Sequence, residues 1–90
     1  MLKIKVENAQ SNAGNDIPNQ FRIWADDGVY FQSYKTIIAY KDLSGKITLD
    51  SDKRDYSSTT GKYRNKFLNE GIADTRKKIA SGEYKLANLN

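Results

Sequence analysis

The spacing of apolar residues changes just past Asp50, and this change limits the folds that the chain can adopt. Before it, apolar and polar residues alternate, first over residues 2–6 (LKIKV), which is the pattern of a half-buried β-strand. After it, apolar residues such as Tyr63 and Phe67 recur with the spacing of an α-helix. The two patterns predict a β-sheet in the first half of the chain and helices in the second.

Residues 8–20 (NAQSNAGNDIPNQ) are rich in Asn, Gln and Gly, and this composition predicts a surface loop. Two β-hairpins are predicted within residues 21–51. The first turns at Asp27-Gly28, a dipeptide that suits the positive φ angles of a two-residue turn. This register places Trp24 opposite Phe31 on one face of the sheet.

The second hairpin is predicted to turn at Ser44-Gly45, which places Tyr40 opposite Leu49. A longer turn would shift the register by one residue and exchange the two faces of the hairpin. With the shorter turn, one apolar face is made of Ile38, Tyr40, Ile47 and Leu49.

A helical region is predicted over residues 58–81, with Thr59 or Thr60 as the N-cap. A single straight helix would direct its two apolar stripes to opposite sides. A break with a C-cap at Gly71 is therefore expected, and Gly82 is expected to end the second helix.

Residues 83–89 alternate weakly and are predicted to be a tail or a short strand. Together the elements predict a single domain over residues 1–90. Its expected class is α+β: an antiparallel β-sheet meander of about five strands, followed by two short C-terminal helices packed on one face.

The composition removes several kinds of chemistry. The chain has no Cys and no His, so disulfides, thiolate nucleophiles, His bases and zinc sites built on these residues are excluded. The segment TGK at 60–62 lacks the flanking glycine and hydroxyl of a phosphate-binding loop. Cations interrupt the acidic segment DSDKRD at 50–55, and Asp26-Asp27 fits a turn. We therefore predict no catalytic residue, no metal and no cofactor, and a protein that is not an enzyme.

No apolar run approaches the ~20 residues of a membrane-spanning helix. We therefore expect a soluble, cytoplasmic protein with no membrane partner. Residues 1–50 carry equal numbers of acidic and basic side chains, so residues 51–90 supply the whole net charge of +4. This asymmetry indicates an acidic partner, either a nucleic acid or an acidic protein surface.

Two sets of side chains are candidates for binding. Aromatic residues on the second face of the sheet are typical of protein contacts, whereas the basic and aromatic residues of the helical region are typical of nucleic-acid contacts. The same cations could instead be solvated around two amphipathic helices. The candidate partner-binding residues are Trp24, Tyr30, Tyr34, Tyr56, Arg64 and Asn65. The alternative, nucleic-acid-binding residues are Lys62, Arg64, Lys66, Arg76, Lys77 and Lys78.

Four short segments carry a resemblance to known sequences: FQSY at 31–34, DYS at 55–57, TTGKYRN at 59–65 and FL at 67–68. Over roughly residues 20–89 the chain resembles a family of small proteins encoded by phages and prophages of low-GC bacteria, to which no activity is assigned. The resemblance implies a non-enzymatic accessory protein that binds a host macromolecule. A host protein is the expected partner, as for an anti-defence inhibitor such as an anti-CRISPR. Nucleic acid and a second copy of the chain are the other candidate partners.

Overall fold

Six strands and two helices are found in the computed structural model, which describes residues 4–11, 13–54 and 57–90. All neighbouring strands are antiparallel except the last pair, β5 and β6, which is parallel. The predicted α+β class, a meander followed by two helices, is confirmed with one strand more than expected. In chain order the elements are β1 (Lys5–Gln10), β2 (Asp16–Ala25), β3 (Gly28–Ser33), β4 (Thr36–Asp42), β5 (Ile47–Asp50), α1 (Ser58–Leu68), α2 (Ile72–Ser81) and β6 (Lys85–Ala87).

The predicted loop at 8–20 is mostly strand, which corrects that prediction. β1 continues to Gln10 and β2 begins at Asp16, so only a short connection separates them. Polar composition does not prevent pairing here, because the Asn8 side chain donates a hydrogen bond to the Ile17 carbonyl oxygen at 3.1 Å. Pro18 lies where the β1–β2 register shifts, a place where a missing N–H is tolerated.

The first hairpin turns at Asp26-Asp27, one residue earlier than predicted. Trp24 consequently pairs with Val29 and not with Phe31, although Trp24 and Phe31 still point to the same face. Gly28 follows the turn at φ 154°, and a Cβ there would lie 2.2 Å from a carbonyl oxygen of β4. The close approach of the two strands therefore requires a glycine at this position.

The predicted register of the second hairpin is wrong by one residue. Tyr40 pairs with Thr48, so Leu49 and Ile47 point to the opposite side of the sheet from Tyr40. Ile38 is fully buried beside Ile47 and Leu49, at a position where the β3–β4 pairing is irregular. The apolar face predicted for this hairpin thus loses Tyr40.

The side chain of Asp42 explains the longer turn. Its Oδ1 accepts hydrogen bonds from the backbone N–H of Ser44 and of Lys46, both at 2.9 Å, and from the Ser44 hydroxyl at 2.7 Å. These bonds, the one from the Ser44 hydroxyl first, lower the pKa of Asp42. Gly45 takes φ 91°, which glycine adopts readily, and completes the turn.

The helix boundaries differ from the predicted caps by two or more residues. Ser57, not Thr59 or Thr60, is the N-cap of α1, and its hydroxyl accepts from the Thr60 N–H at 3.1 Å. Asn69, in the left-handed conformation, is the C-cap of α1, and Gly71 is instead the N-cap of α2. The predicted break between the helices is nevertheless present.

The C-terminal segment returns to the sheet after Gly82, which ends α2 as predicted. β6 lies within the segment predicted as a tail or short strand, and it joins the sheet beside β5. The helices thus form a crossover between two parallel strands and pack on one side of the sheet, here called the covered face. Its buried core contains Phe31, Ile38, Ala39, Ile47, Leu49, Tyr63 and Tyr84. Neither helix in the described ranges is long and apolar enough to cross a lipid bilayer.

Candidate functional site

The side of the sheet opposite the helices is an apolar and aromatic surface, here called the open face. Directly paired residues of antiparallel strands point to the same side, so the strand register assigns each residue to a face. Val6 pairs with Ile23, Ile23 with Tyr30, and Tyr30 with Tyr40, which forms a row across four strands. Neither described helix packs on this side. The apolar residues of the open face are Val6, Phe21, Ile23, Tyr30, Ile37 and Tyr40.

Two tyrosines at the centre of the open face are held in a fixed arrangement. The rings of Tyr30 and Tyr40 stack with their centroids 4.5 Å apart. Both hydroxyls donate to Asp27, that of Tyr30 to the carboxylate at 3.2 Å and that of Tyr40 to the carbonyl oxygen at 2.7 Å. Desolvation, followed by the influence of Asp27, raises the pKa of both tyrosines, so both remain neutral donors. Rigid aromatic side chains of this kind lose little entropy on binding.

The predicted partner-binding residues do not form one patch. Tyr30 lies on the open face, whereas Trp24 lies on the covered side, beyond the helices, and is 44% exposed. Tyr34 is 47% exposed in the β3–β4 turn with φ 56°. Arg64 and Asn65 belong to α1. Tyr56 lies outside the described residues.

Arg64 is buried, with 1% of its surface exposed. One guanidinium nitrogen donates to the Arg54 carbonyl oxygen at 2.7 Å, and the other donates to the Asn65 side chain at 2.9 Å. These bonds fasten the turn that precedes α1 to the helix itself. In this position Arg64 supports the fold around α1.

A wide, shallow hollow of about 700 Å³ lies between the N-terminal end of α1 and the first turns of α2. Lys62 and Arg76 line it, and Arg64 forms part of its wall. The N-cap residue Ser57 also lines it, and the N-terminal end of a helix favours negative charge. This surface, here called the basic hollow, brings together part of the predicted nucleic-acid set.

The remaining members of that set lie elsewhere. The Lys66 ammonium lies 5.5 Å above the Tyr63 ring, and Lys77 is exposed on α2. Tyr63 is buried in the core and Phe67 stacks on Phe31 at 5.8 Å, so neither presents its ring for stacking on a base. The aromatic residues of α1 therefore face the core, whereas of the basic residues Lys62 is exposed, Lys66 is half-buried and Arg64 is buried.

Lys78, the last of the predicted nucleic-acid contacts, is bound to a buried carboxylate. Glu70 accepts hydrogen bonds from the Lys78 ammonium at 2.7 Å, the Tyr84 hydroxyl at 2.6 Å and the Thr75 hydroxyl at 2.7 Å. Burial alone would raise the pKa of Glu70, but these donors together lower it. Burial and the bond to Glu70 raise the pKa of Tyr84 to about 12, and the bond to Glu70 raises the pKa of Lys78. A carboxylate whose pKa is lowered in this way is a poor proton acceptor. The role of the cluster is structural, because its hydrogen bonds join α2 to the residues that lead into β6.

A second buried carboxylate, Asp50, holds the C-terminal end. It accepts from the backbone N–H groups of Lys53 and Leu89, both at 2.8 Å, and from the Asn90 side chain at 3.1 Å. Burial would raise the pKa of Asp50, but these hydrogen bonds lower it. The Asn90 amide also bonds to both backbone groups of Ile37, at 2.7 and 3.0 Å, and so completes the pairing of β4.

Neither carboxylate network was predicted, because its members are far apart in sequence and share no local pattern. Glu70 and Tyr84 are separated by 14 residues, and Asp50 and Asn90 by 40. Within the residues that the structure describes, no group of three or more acidic side chains could hold a metal ion.

The fold and these surfaces define a small α+β protein in which one sheet carries helices on one face and an aromatic surface on the other. Over residues 4–84 the chain matches a family of unknown function, DUF8033, and it belongs to that family. Neither the curated proteins nor the solved structures contain a significant match to the chain.

Proposed function

We propose that the protein is a non-enzymatic accessory protein that acts by binding a host protein through its open face. The observation that supports this is the row formed by Val6, Ile23, Tyr30 and Tyr40, which neither described helix covers. Val6 is 59% exposed, and the aromatic pair at the other end of the row is already ordered by Asp27. Tyrosines of this kind are frequent among the residues that dominate the energy of protein interfaces.

The charge of the open face favours a protein over a nucleic acid. The cations of the central strands point away from it: Arg22 lies 5.7 Å above the Phe67 ring, and Lys41 pairs with buried Ile47 on the covered side. The Asp27 carboxylate, moreover, lies beside the aromatic pair. A surface that binds nucleic acid needs cations near its stacking residues to neutralise phosphates.

The resemblance to phage-encoded proteins supports a more specific proposal for the partner. A phage protein that binds a host nuclease can block a defence system without chemistry of its own, as an anti-CRISPR does. Such an inhibitor would act in the cytoplasm of the host cell. The net charge of +4 argues against inhibition by imitating DNA, so occlusion of a protein surface is the mechanism that we propose.

The test compares two apolar-to-lysine substitutions. Ile23→Lys places a charge in the middle of the open face, whereas Leu43→Lys, the matched control, changes a turn residue that is 80% exposed. Tagged wild-type protein and both variants are incubated with host lysate, retained proteins are identified by mass spectrometry, and each is purified for calorimetry. We expect one host protein to bind the wild type and Leu43→Lys with similar affinity, and Ile23→Lys at least tenfold more weakly. Equal binding by both variants would exclude the open face as the contact surface.

The basic hollow supports a second candidate function, nucleic-acid binding, because it places Lys62 and Arg76 together beside the N-terminal end of α1. Binding to generic DNA and RNA is measured as a function of salt concentration. If the hollow binds phosphates, Lys62→Ala and Arg76→Ala will each reduce the slope of log K against log[salt] by about one. Lys85→Ala, at the far edge of the sheet, is the control. Absence of binding at low salt would end this alternative.

A further inference from the structure

We propose that the free edge of β1 pairs with the same edge of a second copy, which gives a twofold-symmetric dimer with one continuous sheet. This inference goes beyond the proposed function and does not depend on it. β1 is paired on one side only, with β2, and the chain order of the sheet makes β1 its outermost strand among the described residues. Unpaired edge strands of this kind are templates for pairing with another chain.

The register shows which backbone groups face this edge. Ala25 and Gly28, which flank the two-residue β2–β3 turn, form a hydrogen-bonded pair. Successive residues of β2 then direct their backbone N–H and C=O groups alternately towards β3 and towards β1. It follows that Lys5 bonds to Trp24, and Glu7 to Arg22, across the β1–β2 interface. The N–H and C=O groups of the residues between and beside them point outward. Within the regular part of β1 these outward residues are Val6 and Asn8.

The same alternation can be checked at the other side of the sheet. When the alternation of hydrogen-bonding direction is followed from β2 through β3 to β4, the N–H of Asp42 is expected to point towards β5. There it donates to the Lys46 carbonyl oxygen at 3.0 Å. The assigned hydrogen-bonding directions therefore agree with the observed bonds from the β2–β3 turn to the start of the β4–β5 turn.

The sequence of the edge favours one register for self-pairing. The β1–β2 ladder is regular from Lys5 to Asn8 and shifts after it, and within this part Val6 is the outward residue with a paired neighbour on each side. A twofold axis at Val6 places Lys5 opposite Glu7 of the partner subunit, twice. A shift of two residues in either direction would instead place Lys5 opposite Lys5, or Glu7 opposite Glu7, of the partner subunit. Like charges directly opposite each other are destabilising, whereas opposite charges contribute favourably.

The apolar residues give a second reason for a second copy. Ile4 and Val6 are 64% and 59% exposed, and in this register the two Val6 side chains meet on the open face. The row that runs from Tyr40 to Val6 then continues into the row of the partner subunit. Small domains with thin cores are commonly stabilised by such association. Because a short edge contact buries less than a standard interface, we expect a dissociation constant on the order of 1–100 μM.

Charge reversal at Lys5 and Glu7 tests the dimer in a way that a change in the stability of the monomer cannot reproduce. The Lys5→Glu chain has two acidic side chains on this edge, and the Glu7→Lys chain has two basic ones. Each variant alone should remain monomeric, an equimolar mixture should form a heterodimer, and the double exchange should restore the homodimer. Molar mass is measured by sedimentation equilibrium from about 1 μM to about 1 mM. Lys46→Glu, in the exposed β4–β5 turn, is the control and should dimerise like the wild type.

Cross-linking tests the register itself. The chain has no cysteine, and a hydrogen-bonded pair places its two Cα atoms about 5.5 Å apart, a distance that a disulfide spans. Val6→Cys should therefore oxidise rapidly to a covalent dimer, whereas Leu43→Cys, at the most exposed apolar residue described, should not. A wild type that stays monomeric at the highest concentration, or equal cross-linking of the two variants, would overturn the proposal. Because Lys5 and Glu7 point to the covered side, their exchange leaves the open face intact, and the two proposals can fail separately.

Discussion

The two faces of the sheet are made by alternate residues of the same strands, yet they differ in what buries them. On β3, Phe31 is 1% exposed because α1 packs on it, whereas its neighbour Tyr30 is only half-buried, by other residues of the sheet. Leu49 and Tyr40 show the same contrast on β5 and β4. Stability is therefore concentrated on the covered face, and the open face can be altered for binding with little effect on folding.

The largest expected effect separates the two faces directly. Leu49→Ala removes a fully buried side chain and should lower the free energy of unfolding by about 2–5 kcal/mol. Ile23→Ala, on the open face, should lower it by less than about 1 kcal/mol. Chemical denaturation followed by circular dichroism measures both. Similar losses for the two variants would show that the open face is buried by something outside the described residues.

The Glu70 cluster tests whether polar contacts on the covered face also stabilise the fold, because it lies on that side of the sheet. Glu70→Gln keeps the shape of the side chain but leaves Lys78 with only the Glu83 carboxylate, at 3.9 Å, and weakens the bond from Tyr84. We expect a loss of about 1–3 kcal/mol in the free energy of unfolding. Asp74→Asn, an exposed acidic residue on α2, is the control and should change little. If both substitutions had equally small effects, the cluster would not be holding α2 against the sheet.

The same cluster predicts a dependence on pH. The folded-state pKa of Tyr84 is raised to about 12 and that of Lys78 is also raised, so their contribution is complete below pH 10 and is lost as pH rises. The pKa of Glu70 is lowered, so its contribution is present above its ordinary pKa and is lost in acid. Unfolding measured from pH 9 to pH 11 should show a loss of about 1 kcal/mol that arises from Tyr84 and that the Tyr84→Phe variant lacks. A wild type and variant with parallel pH profiles would contradict this.

The sequence predicts the type of most elements because their apolar residues have clear periods. It does not predict registers as well, since these depend on hydrogen bonds within turns. The Asp42 carboxylate closes a longer turn than the Ser44-Gly45 pair suggested, and this moves Tyr40 to the open face. In the first hairpin the turn at Asp26-Asp27 changes pairing but keeps each residue on its face.

The candidate site could be predicted only in part for the same reason. Tyr30 was predicted as an aromatic residue on the second face of the sheet. The row through Val6 and Ile23 was not predicted, because it depends on the strand register. The basic residues were predicted together because they are close in sequence. Their separation arises because one side of α1 is buried and Lys78 is bound to Glu70, a contact across eight residues.

Gln20 is a polar residue on the covered face, and its replacement should strengthen that face. It is fully buried, and neither its amide nitrogen nor its amide oxygen has a hydrogen-bond partner among the protein atoms described. Gln20→Met keeps the approximate volume and removes two polar atoms, so we expect a gain of up to about 1 kcal/mol in the free energy of unfolding. Gln32→Met, on the open face, is the contrasting control: the Gln32 amide donates a hydrogen bond to the Tyr34 carbonyl oxygen at 2.7 Å, so its replacement should give no gain. A loss of stability in Gln20→Met alone would indicate that an ordered water satisfies the amide.

The smallest expected effect concerns the aromatic pair of the open face. Tyr40→Phe removes the hydrogen bond to the Asp27 carbonyl oxygen but keeps the ring that stacks on Tyr30. Because the hydroxyl is near solvent, the free energy of unfolding should fall by only about 0.5 kcal/mol. The binding of a protein partner should nevertheless weaken by more than this. The substitution removes the hydrogen bond that orders the two rings before binding, and it also removes the Tyr40 hydroxyl as a donor. Calorimetry of the variant with the captured partner, beside denaturation of the same sample, measures both quantities. If the two losses were equal, the open face would contribute to folding and not specifically to recognition.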